Sequence, residues 1–364
     1  MRIAISTGGG DAPGLNAVIR AIVLSAHHRG WQSYGIRRGF DGLLGQEGFG
    51  EEGVIALGPE KVRGITHLGG TILGTTNRGN PFRWVVRDAE GRAMEVDRSG
   101  DLIAAFRASG FDALISIGGD GSLQIAHELW RQGLPVVGVP KTIDNDVCGT
   151  QRTFGFDTAV STATEAIDKL HSTAESHDRV MVVEVMGRHA GWIALNSGIS
   201  AGADVILIPE IPFDIEKVCE KIRAREAAGR RFSIVVVAEG AAPTGGHVVL
   251  VERRGAGTVD RLGGIGGQVA RAIQERTGKE VRTLVLGHLQ RGGSPTTYDR
   301  LLALRFGAAA VRAVADGEFG VMVGLNGPTI TRVPLAEVVG RTKNVPLDSD
   351  TVMTAREIGI SLGD

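Results

Sequence analysis

The chain has 364 residues, of which 42% are hydrophobic and 22% charged, and a formal net charge of -1. That balance disfavours nucleic acid or an anionic membrane surface as a partner, and no run of eighteen apolar residues offers a membrane span. The length suits two domains, and the 54 glycines cluster after apolar runs without a Gly-X-Y period, which predicts many tight strand-to-loop turns.

Arg2 to Ser6 reads as a strand. Thr7-Gly-Gly-Gly-Asp11-Ala-Pro13-Gly14 then turns into a helix beginning near Leu15 and running toward His28. Backbone amides and a helix N-terminus at such a turn suit an anion, although a plain βα turn has the same look. A strand near Ser33 to Ile36 follows, then a polar, glycine-rich stretch from Leu68 to Arg78 whose arginine is either a polyphosphate contact or an ordinary surface residue. Residues 81–100 read as a charged surface excursion.

A helix from Asp101 to Ser109 leads to a strand at Ala113 to Ile117 and the turn Gly118-Gly119-Asp120-Gly121-Ser122, with helical spacing from Leu123 to Gln132. A strand from Leu134 to Val139 runs into Pro140-Lys141-Thr142-Ile143-Asp144-Asn145-Asp146. The first turn brings a carboxylate and a hydroxyl beside free amides, which is equipment for a phosphate and its magnesium. The second brings two carboxylates at alternate positions, so that one can hold metal while the other takes a proton. Either turn alone has a bland reading. Together, at the ends of two buried-looking parallel strands, they argue for phosphoryl transfer.

Beyond Phe156 a helix runs to about Ser176. Strands follow at 179–188, 205–210 and 233–240, with helices at 191–201 and 215–228 between them. The first of these strands runs into Met186-Gly187-Arg188 and the last stops at Glu239-Gly240. A strand from Thr283 enters the basic turn holding His288 and Arg291, and an amphipathic helix spans Tyr298 to Ala315. His288 alone is more often structural, but beside Arg291 and two glycines it suits a phosphate monoester. The segment after Asn326 carries no legible chemistry. Cys148 and Cys219 lie far apart, no signal peptide is evident, and a reducing cytoplasm is the expected setting.

The ordered set TGGGDAPGLNAVIR, GGDGS, PKTIDND, VVEVMGRHAGWIAL, AEG and LGHLQRGGSPTTYDR resembles the 6-phosphofructokinase family from Ile3 to about Gly307. NAD kinases and diacylglycerol kinases share GGDGS but lack TIDND and HLQRGGSP. The resemblance implies a phosphoryl-donor site at Gly10, Arg78, Asp120, Gly121 and Ser122, with Lys141 nearby and Asp120 on Mg²⁺. It implies that Asp144 is the base toward the sugar 1-hydroxyl, with Thr142 and Asp146 beside it, and that Arg188 contacts the acceptor and stabilises charge. Met186, Gly187 and Glu239 correspond to contacts with the sugar, and Arg179, Arg282, His288 and Arg291 to the 6-phosphate site. Arg179 and Arg282 would enter from a neighbouring subunit, so a homodimer or homotetramer is implied.

Two departures stand out. Lys141 replaces a glycine and is typical of pyrophosphate-using members, whereas Gly121 replaces the aspartate that accompanies it there. Arg20 matches a basic effector ligand of allosteric bacterial members, but Leu24 and His171 stand where arginines are usual, which puts classical ADP and phosphoenolpyruvate regulation in question.

The expected fold is α/β in two domains, each a mostly parallel sheet flanked by helices, with the active site in the cleft between them. Residues 1–155 with about 290–340 would bind the donor, and 156–289 with the C-terminal tail the acceptor. The expected reaction moves phosphate from ATP-Mg to fructose 6-phosphate. The rivals are pyrophosphate as donor, or a sensor of sugar phosphates and nucleotides that binds without turnover.

Overall fold

An apolar strand with helices on both sides must be buried along its whole length. Arg2–Thr7 behaves so, with five of its six residues buried. The computed structural model describes residues 1–45, 50–88, 90–252 and 261–364. The first half contains strands Arg2–Thr7 (β1), Gln32–Ile36 (β2), Val54–Leu57 (β3), Trp84–Arg87 (β4), Ala93–Val96 (β5), Ala113–Gly118 (β6), Val136–Thr142 (β7) and Phe154–Gly155 (β8). Its helices are Leu15–His27 (α1), Asp41–Leu44 (α2), Ser99–Ala108 (α3) and Asp120–Arg131 (α4).

The second half has Val180–Val185 (β9), Val205–Leu207 (β10), Ser233–Ala238 (β11), Leu250–Glu252 (β12), Arg261–Leu262 (β13), Val281–Val285 (β14), Val321–Asn326 (β15) and Thr329–Pro334 (β16). Between and after these run Phe156–Ser176 (α5), Trp192–Ser200 (α6), Ile215–Ala227 (α7), Ile265–Thr277 (α8), Thr297–Ala315 (α9), Leu335–Val338 (α10) and Asp350–Glu357 (α11).

Two main sheets result. The larger has the order β16-β15-β7-β6-β1-β2-β3, with β8 also on β7. It is parallel except at its edges, where β3 and β16 run antiparallel to their neighbours. The smaller sheet, β10-β11-β9-β14, is wholly parallel. Alternate strand residues serve opposite layers. Ile3, Ile5, Ile115 and Ile117 meet α1 and α9, while Ala4, Leu114 and Val136 meet α3, α4 and α10. In the smaller sheet Val183, Val185 and Val236 meet α5, α6 and α11, and Val182, Val235 and Val237 meet α7 and α8.

Several elements differ from the sequence expectation. Asp120 to Ser122 are the first turn of α4 rather than a loop ahead of it, because Gly119 takes the extended N-cap conformation. Strand β7 continues through Pro140 and Lys141 to Thr142. The 81–100 excursion contains the hairpin β4–β5, anchored by buried Trp84; residue 89 lies outside the described residues. Strand β10 stops at Leu207, and residues 287–291 form a 3₁₀ turn. After Asn326 the chain returns with β16 and then packs Val345, Val352 and Leu362 into the core of the smaller sheet.

Candidate active site

Parallel sheets expose their strand C-terminal ends as a row of loops, and that row carries the candidate residues. Beyond β1, Gly8 donates its N–H to Ile117 O at 2.9 Å and Gly9 to Thr76 O at 3.0 Å. Thr75 Oγ1 returns a bond to Gly9 O at 2.6 Å, so the 68–78 loop is stitched to the glycine turn. The turn also abuts the start of α4. A Cβ on Gly8 would lie 2.6 Å from Ser122 Oγ, and one on Gly118 would lie 2.2 Å from Ser122 Cβ, so neither position admits a side chain.

Asp120 opens α4 with its carboxyl pKa raised by partial desolvation, against the pull of His189 and of the nearby Gly340 N–H. A Cβ on Gly121 would meet open space. No group of three or more His, Cys, Asp or Glu side chains among the described residues could cage a metal. The arrangement nonetheless fits Mg²⁺, which is commonly held by one or two carboxylates together with the oxygens of a bound polyphosphate.

Lys141, on β7, reaches under the glycine turn. Its Nζ donates to Gly8 O at 2.9 Å and to Gly10 O. Burial pulls this ammonium down to about 7, helped by Arg291 and opposed by Asp11, Asp144 and Asp146. The sequence expectation put Lys141 near the donor phosphates; its hydrogen bonds brace the turn from the carbonyl side.

After β7 the loop is fixed locally: the Asp144 N–H donates to Thr142 Oγ1 at 3.1 Å, and Asn145 adopts φ 54, rare for a residue with a side chain. Asp144 Oδ1 is buried without a hydrogen-bond partner among the described residues. Burial raises the Asp144 pKa, Arg291, Lys141 and Arg188 pull it down, and Glu239 pushes it up. Asp146 rises to about 6 through burial and the charge of Asp144. Such a pair titrates as a unit.

The other wall comes from the smaller sheet. Beyond β9, Met186 is half-buried, Gly187 takes φ 139 and Arg188 follows; beyond β11 comes Glu239. Glu239 N–H donates to Val185 O at 2.9 Å and Gly240 N–H to Gly187 O at 3.0 Å, locking the two loops side by side. Burial raises the Glu239 pKa, with Arg188 and Arg291 opposing and Glu184 assisting. Arg291, from the 3₁₀ turn after β14, donates to Asp11 O at 3.1 Å. With exposed His288 it closes a cavity of about 240 Å³ whose other lining residues are Gly9, Gly10, Asp11, Thr75, Thr76 and Asn77. Arg78 is exposed, one residue past Asn77.

The fold thus gathers Asp120, Lys141, Thr142, Asp144, Asp146, Arg188, Glu239 and Arg291 around one cleft, but not Arg179 and Arg282. Arg179 precedes β9 and Arg282 is the second residue of β14, so both stand at the starting ends of the strands, roughly 20 Å from the Met186 and Glu239 loops by strand rise. There both grip the carboxylate of Glu280, Arg179 at 2.9 Å.

Four residues escaped the sequence reading. Asn145 lies between the two carboxylates, His189 faces Asp120 and Asp146, and Lys343 donates to Asn145. Glu184, buried on β9, accepts from Gly264 and Gly266 at the start of α8. Asn145 and His189 stand within recognisable motifs, whereas Lys343 has no local signal at all. No helix among the described residues is long and apolar enough to cross a membrane.

A family match described as "Phosphofructokinase" covers residues 2–314. An "ATP-dependent 6-phosphofructokinase" of Chloroflexus aggregans is 54% identical over 365 aligned positions, covering 100% of this chain and 98% of the relative. A "Pyrophosphate--fructose 6-phosphate 1-phosphotransferase" of Amycolatopsis methanolica is 52% identical, with 95% of this chain and 96% of the relative covered. The crystal structure of a Pichia pastoris phosphofructokinase in the T-state superposes with a TM-score of 0.79 at 33% identity, over 98% of this chain and only 36% of that one. The family match and the full-length identity together mean that the chain belongs to the phosphofructokinase family.

Proposed function

We infer that the chain is an ATP-dependent 6-phosphofructokinase, a transferase that moves the γ-phosphoryl group of ATP to the 1-hydroxyl of fructose 6-phosphate, a reaction of glycolysis. The observation that carries the reading is the buried, unpartnered Asp144 Oδ1 at the meeting of the glycine turns and the Arg188–Glu239 wall. A primary alcohol is a weak nucleophile, and a carboxylate in this position takes its proton as the new P–O bond forms. Burial raises the Asp144 pKa, which makes its carboxylate a stronger base than a solvent-exposed one. A sensor without turnover needs no such base.

The remaining roles follow from chemistry. The amides of the turn beyond β1 and of the α4 N-terminus, with Gly10, Gly121 and Ser122, receive the donor phosphates, and Arg78 adds charge at the mouth. Mg²⁺, held by Asp120, would neutralise charge on the donor oxygens. Arg188 stabilises the transferring group, Thr142 fixes the Asp144 backbone, and Asp146 lies alongside. Met186, Gly187 and Glu239 hold the sugar, while His288 and Arg291 take its 6-phosphate, whose binding energy is converted into orientation.

Residues 1–155 with 290–340 form the donor domain in this reading, and 156–289 with the tail the acceptor domain. The sheets support the division, since β15 and β16 return to the larger one. Arg179 and Arg282 complete the 6-phosphate site of a partner subunit in a homodimer or homotetramer, because they face away from their own. A cytoplasmic setting suits the two free cysteines.

Pyrophosphate is the second reading, favoured by Lys141 and by the pyrophosphate-using relative. The open space at Gly121 favours ATP, whose α-phosphate has to pass there. Initial rates with ATP and with pyrophosphate at saturating fructose 6-phosphate test this directly. Faster turnover with pyrophosphate would reverse the donor assignment, and no turnover with either would sink the reading.

A further inference from the structure

The family match ends at residue 314, yet a later segment touches every wall of the cleft. Gly340 presents its N–H on the side of Asp120. Thr342 bridges Val147, and the Lys343 N–H donates to Asp146 O at 2.8 Å. The Lys343 carbonyl accepts from Trp192 Nε1 at 2.8 Å. The Val345 N–H donates at 2.8 Å to Glu210, which also accepts from Gly191 at 3.1 Å, just past the Arg188 loop.

The Lys343 side chain runs into the base loop. Its Nζ donates to Asn145 Oδ1 at 3.0 Å, Thr150 O at 2.8 Å and Gln151 O at 3.1 Å, which uses all three ammonium protons. Asn145 Oδ1 also accepts from Thr153 N at 3.1 Å. Asn145 sits at φ 54, in the left-handed region that asparagine enters more readily than most residues, and these bonds fix its side chain there.

We propose that residues 340–345 are a strap that sets the base loop, and that Lys343 is a positioning residue for Asp144, acting through Asn145. Asn145 is the residue between the two carboxylates, so a shift in its backbone re-aims both. Lys343 is spent on protein acceptors and acts at one remove from the reacting atoms. Burial, and after it the charge of Arg152, bring its ammonium down to about 8. The kinetic consequence rests on the phosphofructokinase reading; the structural one does not.

The test is Lys343→Met, which keeps the stem and removes the ammonium. Hydrogen exchange of the amides of 142–153 should quicken at least tenfold at Asp144 and Thr153. With ATP and fructose 6-phosphate, kcat should fall 10- to 100-fold, the range that a displacement of about 1 Å produces, with both KM values within twofold of wild type. Asn145→Ala should act on the same pathway, so the double variant should be no slower than the worse single one.

Unchanged exchange overturns the strap whether or not the protein turns over. Quickened exchange with unchanged kcat, or losses that multiply in the double variant, overturns the positioning role. A wild type inactive with both donors sinks the functional reading separately and leaves the exchange result standing. Should Lys343→Met fail to fold, Trp192→Phe releases the other side of the strap and must show the same kcat-selective loss, about threefold; an unchanged kcat there refutes the proposal.

Discussion

Gly10→Ala is a perturbation whose effect can be worked from distances alone. Gly10 has no left-handed backbone to strain. Its new Cβ would stand 2.9 Å from Arg291 Nη1 and 3.1 Å from Arg291 Cζ, against an ordinary contact of 3.4–4 Å. The guanidinium must retreat by roughly 0.5–1 Å, losing its bond to Asp11 O and its line to the cavity. Because the obstacle is the end of a flexible side chain, the melting temperature should barely change. A charge-assisted hydrogen bond is worth about 1.5–3 kcal/mol, and losing roughly half of one should raise the KM for fructose 6-phosphate about 4- to 12-fold. The ATP KM should rise less, since the amides of the turn stay in place. Coupled initial-rate assays varying each substrate, with a thermal melt on the same preparation, read all three quantities. A fructose 6-phosphate KM within twofold of wild type, or a large loss of melting temperature, would refute the assignment of Arg291 to the phosphate.

Asp144→Asn should preserve substrate binding and lower kcat by about 10²–10⁴, the usual cost of removing a general base; a few-fold effect would mean that another group takes the proton. Arg282→Ala should raise the KM for fructose 6-phosphate strongly with little change for ATP, and subunit-exchanged hybrids of Arg282→Ala with Asp144→Asn should regain part of the activity. Hybrids without any recovery would mean that each site is built within one chain. Gly121→Asp should depress ATP-driven turnover at least tenfold while sparing any pyrophosphate-driven turnover, through repulsion of the α-phosphate; equal loss with both donors would point to a folding defect instead.

The candidate site was largely legible where chemistry sits in a turn directly after an apolar strand. Glycines, carboxylates and cations at the ends of β1, β6, β7, β9 and β11 mark strand ends and candidate ligand contacts together, and parallel topology gathers those ends. Other features depend on distant parts of the chain. Lys343 meets Asn145 across 198 positions, and nothing in its neighbourhood hints at the contact. Arg179 and Arg282 read as phosphate ligands by type, but only the strand register reveals that they stand at the far end of their own sheet. Hairpin β4–β5 escaped notice because its charged residues blur the alternation around Trp84. The helical start at Asp120 was hidden by two flanking glycines, which in isolation argue against a helix.

The order of strands in the larger sheet also dictates a timetable for synthesis. Strand β7 borders β15, and Leu325 reaches Thr150 across 175 positions of chain. At about 5–20 residues per second the ribosome needs roughly 9–35 s to make that stretch. Throughout that interval the nascent β7 has an unsatisfied edge, the kind of surface on which chains pair wrongly. The strands of the smaller sheet are contiguous in sequence, but that sheet waits as well: the Ile206 N–H donates to Ser361 O at 2.9 Å, and Val352 and Leu362 close its core. Neither half is therefore complete until residues beyond 320 have emerged, and protease protection of ribosome-bound chains of increasing length would record that delay.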